Sequence, residues 1–369
     1  MEKTSNSLPP SDLPLTGYDR SPSQPDYPIL NSLQPLPNQQ QQFETSSSDG
    51  HLNLLPSLME TNKEKQIAPF HGSNNTFGSM MQRLLPPSEQ SELLSCHFSS
   101  DGKFLASVGQ EKKVLLWNTN TLDFVYTVER HTQPITDVRF KPNSTVFATS
   151  SFDGIVQIWD ANKPNDSLLQ LVGHAENVTS LDFNPRKVEI LCSCDSNNEI
   201  RLWNINQRSC VKVFRGANRQ VKFQPRLGNL LAAACRNRIL LFDVETSKIR
   251  SILEGHENEV RSICWDASGK YIASVSEDSA RVWSVTSGGN CIHELESNGN
   301  DFETCAFHPG YSQLLVIGSY QSLDLWNPTD SNKMLTVVAR NSMVSSLADS
   351  PRKEMIASTS HEGCVKLWK

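Results

Sequence analysis

An all-β propeller of seven blades behind a disordered N-terminal tail is the fold class the sequence predicts. Three observations carry it. Aromatic residues close short apolar runs at Trp117, Trp159, Trp203, Phe242, Trp283, Trp326 and Trp368, in steps of 39 to 44 residues. A period in that range, with four strands to the unit, is the signature of a propeller blade. The stretch from Ser150 to Asp160 reads as a strand, a tight turn at Asp153-Gly154, and a second strand of alternating apolar residues ending on Trp159. Composition also breaks near residue 77. Ser, Pro, Gln and Asn dominate 1–77, as in the run from Ser32 to Gln42. Such a segment cannot bury enough apolar surface to offset the entropy of ordering it.

Taken in order, the elements begin with an apolar piece at 79–85 that precedes the first full unit. The last unit ends one residue after Trp368, so it holds three strands and lacks an outer fourth. An unpaired edge is a liability, and residues 79–85 are expected to supply the missing strand and close a propeller spanning 78–369. Each unit follows one plan. Its first strand ends in an aromatic, at Phe98, Phe140, Phe183, Phe223, Trp265 and Phe307, and Pro142, Pro185, Pro225 and Pro309 stand two residues on. The second strand is small and apolar, the third carries the closing aromatic, and the fourth runs outward. In the last unit Asp349 falls in the slot of Phe140 and Phe183. A carboxylate there is expected to have a raised pKa or to push the strand outward.

A length of 369 residues would ordinarily suggest two or three domains, but repeats stack into one body with a shared core. A net charge of -6 argues against a broad nucleic-acid-binding surface. No run of 18 apolar residues is present, so no membrane-spanning helix is expected. The N-terminus lacks the basic and apolar regions of a secretory signal. Nine scattered cysteines without a framework fit a reducing, intracellular compartment. Cys192 and Cys194 are the one close pair, and with no second pair and no nearby His neither a metal nor a cofactor is expected. Phosphate-loop, dinucleotide and zinc-protease motifs are absent. His97, His293 and His308 read as structural histidines.

Gly173-His174 lies 29 residues before Trp203, Gly255-His256 lies 27 before Trp283, and Arg130-His131 lies 28 before Trp159. With these pairs the chain resembles a WD-repeat propeller. The resemblance implies a buried hydrogen-bonded set in which a loop His, a hydroxyl, the turn Asp and the closing Trp satisfy one another. Here those residues are His131, Ser150 or Ser151, Asp153 and Trp159. A His–Asp–Ser trio also suits a hydrolase, but its recurrence in fragments along the repeat favours a scaffold over a catalytic site. Glu111, Asn197 and Glu362 stand at the Asp position elsewhere. The Phe242 unit has neither His nor indole and must rest on packing.

The narrow face of such a propeller displays two kinds of loop. Thr136, Thr179, Arg219, Arg261 and Glu303 sit at the entries to inner strands, and Phe152, Arg236, Tyr320 and His361 between second and third strands. Arg, Tyr and Phe anchor protein contacts, although each position is equally compatible with a solvated loop. Arg219, Arg236 and Arg261 are expected to form a basic patch for an acidic or amphipathic peptide.

The strings CHFSSDGKFLAS, ATSSFDGIVQIWDA, ILCSCDSNNEIRLW, RSICWDASGKYIASVSED and FHPGYSQLLVIGSYQSLDLWN resemble the propeller of the plant transcriptional co-repressor family of LEUNIG. The resemblance implies a non-enzymatic scaffold in the nucleus that binds transcription regulators or co-repressor machinery, without direct contact to nucleic acid or membrane. Co-repressors of that family begin with a LisH-containing domain. This chain begins in low-complexity sequence, as expected of a shortened paralogue, and leaves self-association open. Within the tail, residues 52–56 are similar to a plant repression motif, with His51 where that motif has Asp, and read equally as a chance apolar cluster. The second reading of the whole is a substrate receptor of a cullin-type ubiquitin ligase. Such receptors carry Trp-Asp-x-Arg at a blade end, whereas Trp159-Asp160 is followed by Ala161-Asn162.

Overall fold

Strands of three to seven residues, and one of 17, alternate with short turns along almost all of the described residues, as period-2 apolar patterning dictates. The computed structural model describes residues 80–84, 91–330, 334–350 and 352–369. The tail expected at 1–77, with the motif at 52–56, lies outside the described residues. The backbone divides into two units, 1–64 and 65–369, and all described residues belong to the second.

Five units form separate four-stranded antiparallel sheets. The Trp159 unit is typical, with strands Ile135–Phe140, Val146–Ser151, Ile155–Asp160 and Ser167–Val172. Its turn is made by Asp153-Gly154, where Gly154 has φ 78°, a conformation that other residues enter at a cost. The expectation of seven separate blades needs correction here. The remaining strands form one seven-stranded sheet, in the order Met80–Leu84, Val365–Trp368, Met355–Ser360, Met334–Ser350, Tyr320–Trp326, Leu315–Gly318, Thr304–Phe307. The 17-residue strand Met334–Ser350 joins its two halves. Its first part pairs with Tyr320–Trp326 and its last part with Met355–Ser360. Between them neither Gly nor Pro interrupts the run, so nothing forces the chain out of extended geometry. Met80–Leu84 lies antiparallel beside Val365–Trp368, with Met80 opposite Trp368.

The core lies between neighbouring units. Ala106, Val108 and Leu116 of the first unit pack on Ile135, Phe140, Phe147 and Trp159 of the next. The same interleaving joins the two ends, where Leu93, Phe98 and Trp117 pack with Ala348, Met355, Val365 and Leu367. Each large side chain buried in this way contributes on the order of 1.5–3 kcal/mol.

Polar stitches cross these apolar seams on the first strands. The buried Asp137 carboxylate accepts from Ser95 Oγ (2.7 Å) in the preceding unit and from Ser180 Oγ (3.0 Å) in the following one, with Arg139 at 3.2 Å. Burial works to raise this carboxyl, but Arg139, Lys222 and the hydrogen bonds hold it below the usual range. Asp349 does stand opposite Ile356, the register at which Phe140 faces Phe147. Its side chain is exposed to solvent yet walled by protein, which raises its carboxyl, while Arg139 and Lys222 pull it back.

Candidate interaction face and the buried polar sets

The Trp159 unit builds a continuous hydrogen-bonded chain. Trp159 Nε1–H donates to Thr149 Oγ1 at 2.9 Å, His131 Nε2 lies 2.8 Å from the same oxygen, and His131 Nδ1 is 3.0 Å from Asp153 Oδ2. A carboxylate only accepts, so His131 carries its proton on Nδ1 and Thr149 donates to Nε2. The backbone N–H of Thr132 also donates to Asp153, at 2.9 Å. Burial works to raise the Asp153 carboxyl, but the bonds from His131 and Thr132 win and lower it.

The hydroxyl of this chain is Thr149 and not Ser150. Phe147 lies opposite Trp159 in the ladder, so Thr149, two residues on, shares that face, and Ser150 points to the other. There Ser150 Oγ meets Thr136 Oγ1 at 2.8 Å, and Thr136 reaches the carbonyl of Val178 in the next unit at 2.7 Å. Ser151 donates to the carbonyl of Gln133.

The Trp203 unit carries an equivalent set, which corrects the assignment of Asn197 to the Asp position. His174 Nδ1 is 2.9 Å from Asp195, its Nε2 is 2.6 Å from Ser193, and Trp203 donates to Ser193 at 2.8 Å. In the Trp283 unit the carboxylate is one hydroxyl further away. Trp283 donates to Ser274, His256 bridges Ser274 and Ser276, and Ser276 donates to Asp278 at 2.6 Å. Burial and Arg281 lower His256 to about 4. The Trp117 and Trp368 units keep the indole–hydroxyl bond, to Ser107 and Ser358.

His174, Asp195 and Glu199 bring three ligand atoms within 4.8 Å of one another. Their donors are already spent. Both His174 nitrogens are bonded, and Arg201 Nε holds Glu199 at 2.5 Å. A substrate at any of these histidines would have to displace a buried indole; His131 is 3% exposed.

On the narrow face, a cavity of about 420 Å³ is lined by Arg219, Asn258, Glu259, Arg261, Glu277, Glu303 and Met343. Arg219, Arg261 and Glu303 therefore do come together. Glu303 accepts from Arg219 at 3.0 Å and lies 3.2 Å from Arg261, which also reaches Glu277 at 3.5 Å. The expected basic patch is thus corrected to a mixed one, because two guanidiniums face three carboxylates. Arg236 does not line the cavity. It is exposed at φ 54°, and its carbonyl accepts from Val260 N–H at 2.8 Å. Phe152 (38% exposed) and Tyr320 (55%) also stand in solvent outside it. His361 is half-buried, and its N–H donates to the carbonyl of Met343. Thr179 is spent on Cys194.

Comparison with known proteins adds three findings. The family model described as IFT122 first beta-propeller matches residues 92–369. The chain is 52% identical over 280 residues to the transcriptional corepressor LEUNIG_HOMOLOG of Arabidopsis thaliana, covering 76% of this chain and 35% of that protein. It is also 26% identical over 280 residues to the nuclear distribution protein PAC1 of Arthroderma otae, covering 66% of this chain and 60% of that one. The chain therefore spans about a third of the first relative's length and less than two thirds of the second's.

Proposed function

The chain belongs to the WD-repeat beta-propeller family of the IFT122 first-propeller model, and from that premise we propose a non-enzymatic scaffold acting in transcriptional co-repression. The observation that carries the reading is the likeness to a transcriptional corepressor, 52% identical over 280 residues and 76% of this chain. We count the seven-stranded sheet as two blades sharing Met334–Ser350, which with the five separate sheets makes seven. We assign the cavity around Arg219, Arg261 and Glu303 as a protein-binding face, with Tyr320, Phe152, Arg236 and His361 among its surrounding loops and Thr136 and Thr179 beneath. The partners are transcription regulators or co-repressor machinery, and the place of action is the nucleus. The negative net charge speaks for contact through proteins and not directly through DNA.

Affinity purification of tagged protein from plant nuclei, followed by mass spectrometry, tests the reading. Transcription regulators or deacetylase subunits support it. Cullin adaptors in their place would establish a ubiquitin-ligase receptor instead.

A further inference from the structure

The two ends of the strands carry opposite charge. In an antiparallel four-stranded sheet, the turns between first and second strands lie at one end, and the loops entering first strands at the other. The narrow face with the Glu303 cavity is the second of these. There the described loops and turns hold six Lys and Arg against twelve carboxylates. At the opposite end, the described turns between first and second and between third and fourth strands hold eleven Lys and Arg against eight carboxylates. A chain of net charge -6 thus concentrates positive charge at one end, and packing does not require it.

Those turns are joined into a surface. Asn184 Nδ2 donates to the carbonyl of Gly228 at 2.8 Å, and Gln224 Nε2 to the carbonyl of Gly269 at 2.8 Å. The bonds lock together the turns of the Trp203, Phe242 and Trp283 units. Arg186, Arg226 and Lys270 stand exposed on this surface, and none of the three is in an ion pair with a described residue. The one adjacent cation that is paired, Lys187, meets Glu245 at 3.2 Å. Asp266 is buried and spent on the N–H groups of Ser268, Lys270 and Tyr271. Beside the cations stand two apolar side chains in solvent, Leu227 at 50% and Tyr271 at 39% exposure. Arg226, at φ 63°, and Leu227 beside it in the turn are both exposed.

We propose that this three-turn surface docks an acidic amphipathic peptide, its carboxylates on Arg186, Arg226 and Lys270 and its apolar residues on Leu227 and Tyr271. A plain polyanion such as duplex DNA would use the cations but leave Leu227 and Tyr271 in water. The surface is distinct from the Glu303 cavity, and its test is independent of whether that cavity binds.

The probe is a fluorescein-labelled twelve-residue peptide alternating Asp and Glu with Leu and Phe, measured by anisotropy against the purified chain. A matched peptide with Ser in place of Leu and Phe, and a 20-base-pair duplex, serve as competitors. Binding of the first peptide should weaken roughly tenfold or more in Arg186→Glu/Arg226→Glu/Lys270→Glu, and should fall as salt rises. Leu227→Ser/Tyr271→Ser should also weaken it, while Arg219→Glu/Arg261→Glu should leave it unchanged. Melting temperatures confirm that the variants fold. No binding, equal binding of the charge reversal, or displacement by the duplex or the Ser peptide as efficiently as by the unlabelled peptide itself would overturn the proposal.

Discussion

The Trp159 and Phe242 units share a backbone plan and differ in what locks it. The first buries a chain of four polar groups from indole to carboxylate. In the second, Ala233 stands where Thr149 would be, and Phe242 has no N–H to satisfy. It packs instead among Leu231, Ala233 and Val221. Gly216 lets the ring come close, since a Cβ there would meet Phe242 Cζ at 2.6 Å. The same approach occurs at Gly173, where a Cβ would meet the Trp203 ring at 3.0 Å. The comparison teaches that the Phe242 ring, like the Trp203 ring, lies against a glycine backbone, whereas the Trp159 unit carries Arg130 at the corresponding position and is held by its polar chain. The hydroxyl partners an indole N–H, as in the Trp117 and Trp368 units, and His and carboxylate extend that bond in the Trp159, Trp203 and Trp283 units.

Thr149→Val breaks the comparison hardest. It leaves the Trp159 indole and His131 Nε2 unpaired in the core, and unfolding in urea should show a loss of about 3 kcal/mol. Asp153→Ala removes the acceptor of His131 and Thr132 at the turn end, where the cost should be about 2 kcal/mol by the same measurement. Gly216→Ala in the Phe242 unit should lower stability by about 1–2 kcal/mol through overpacking, with no polar group involved. A fourth check uses pH. The unfolded chain protonates His256 near 6.5, whereas the folded chain holds it neutral down to about 4. Stability should therefore be complete above pH 6.5 and fall as pH drops through that window. His256→Gln should flatten that part of the curve.

The aromatic period and the turn at Asp153-Gly154 were legible because strand periodicity and turn chemistry are local. The hydroxyl was legible too, had the register been used. Ser107, Thr149, Ser193 and Ser358 each stand ten residues before their Trp, and Ser274 nine before. Three consecutive hydroxyls at Thr149, Ser150 and Ser151 hid it, since only strand alternation separates the faces. Asp195 was missed for a similar reason: reading by alignment to the Asp-Gly turn placed the carboxylate at Asn197. The charge state of the narrow face could not be read. Arg219 and Glu303 are 84 residues apart, and their pairing reaches past the Trp283 unit that packs between theirs. Nor does local sequence show that Met334–Ser350 runs unbroken between two half-sheets.

The central claim is that the buried polar sets hold shape while exposed surfaces bind. One crossed measurement tests it most directly: melting temperature and capture of nuclear transcription regulators, for Thr149→Val and for Arg219→Glu/Arg261→Glu. The account predicts that Thr149→Val melts earlier but captures the same partners below its transition, and that the double charge reversal melts like wild type but loses capture. Loss of capture by folded Thr149→Val, with full capture by the charge reversal, would contradict it.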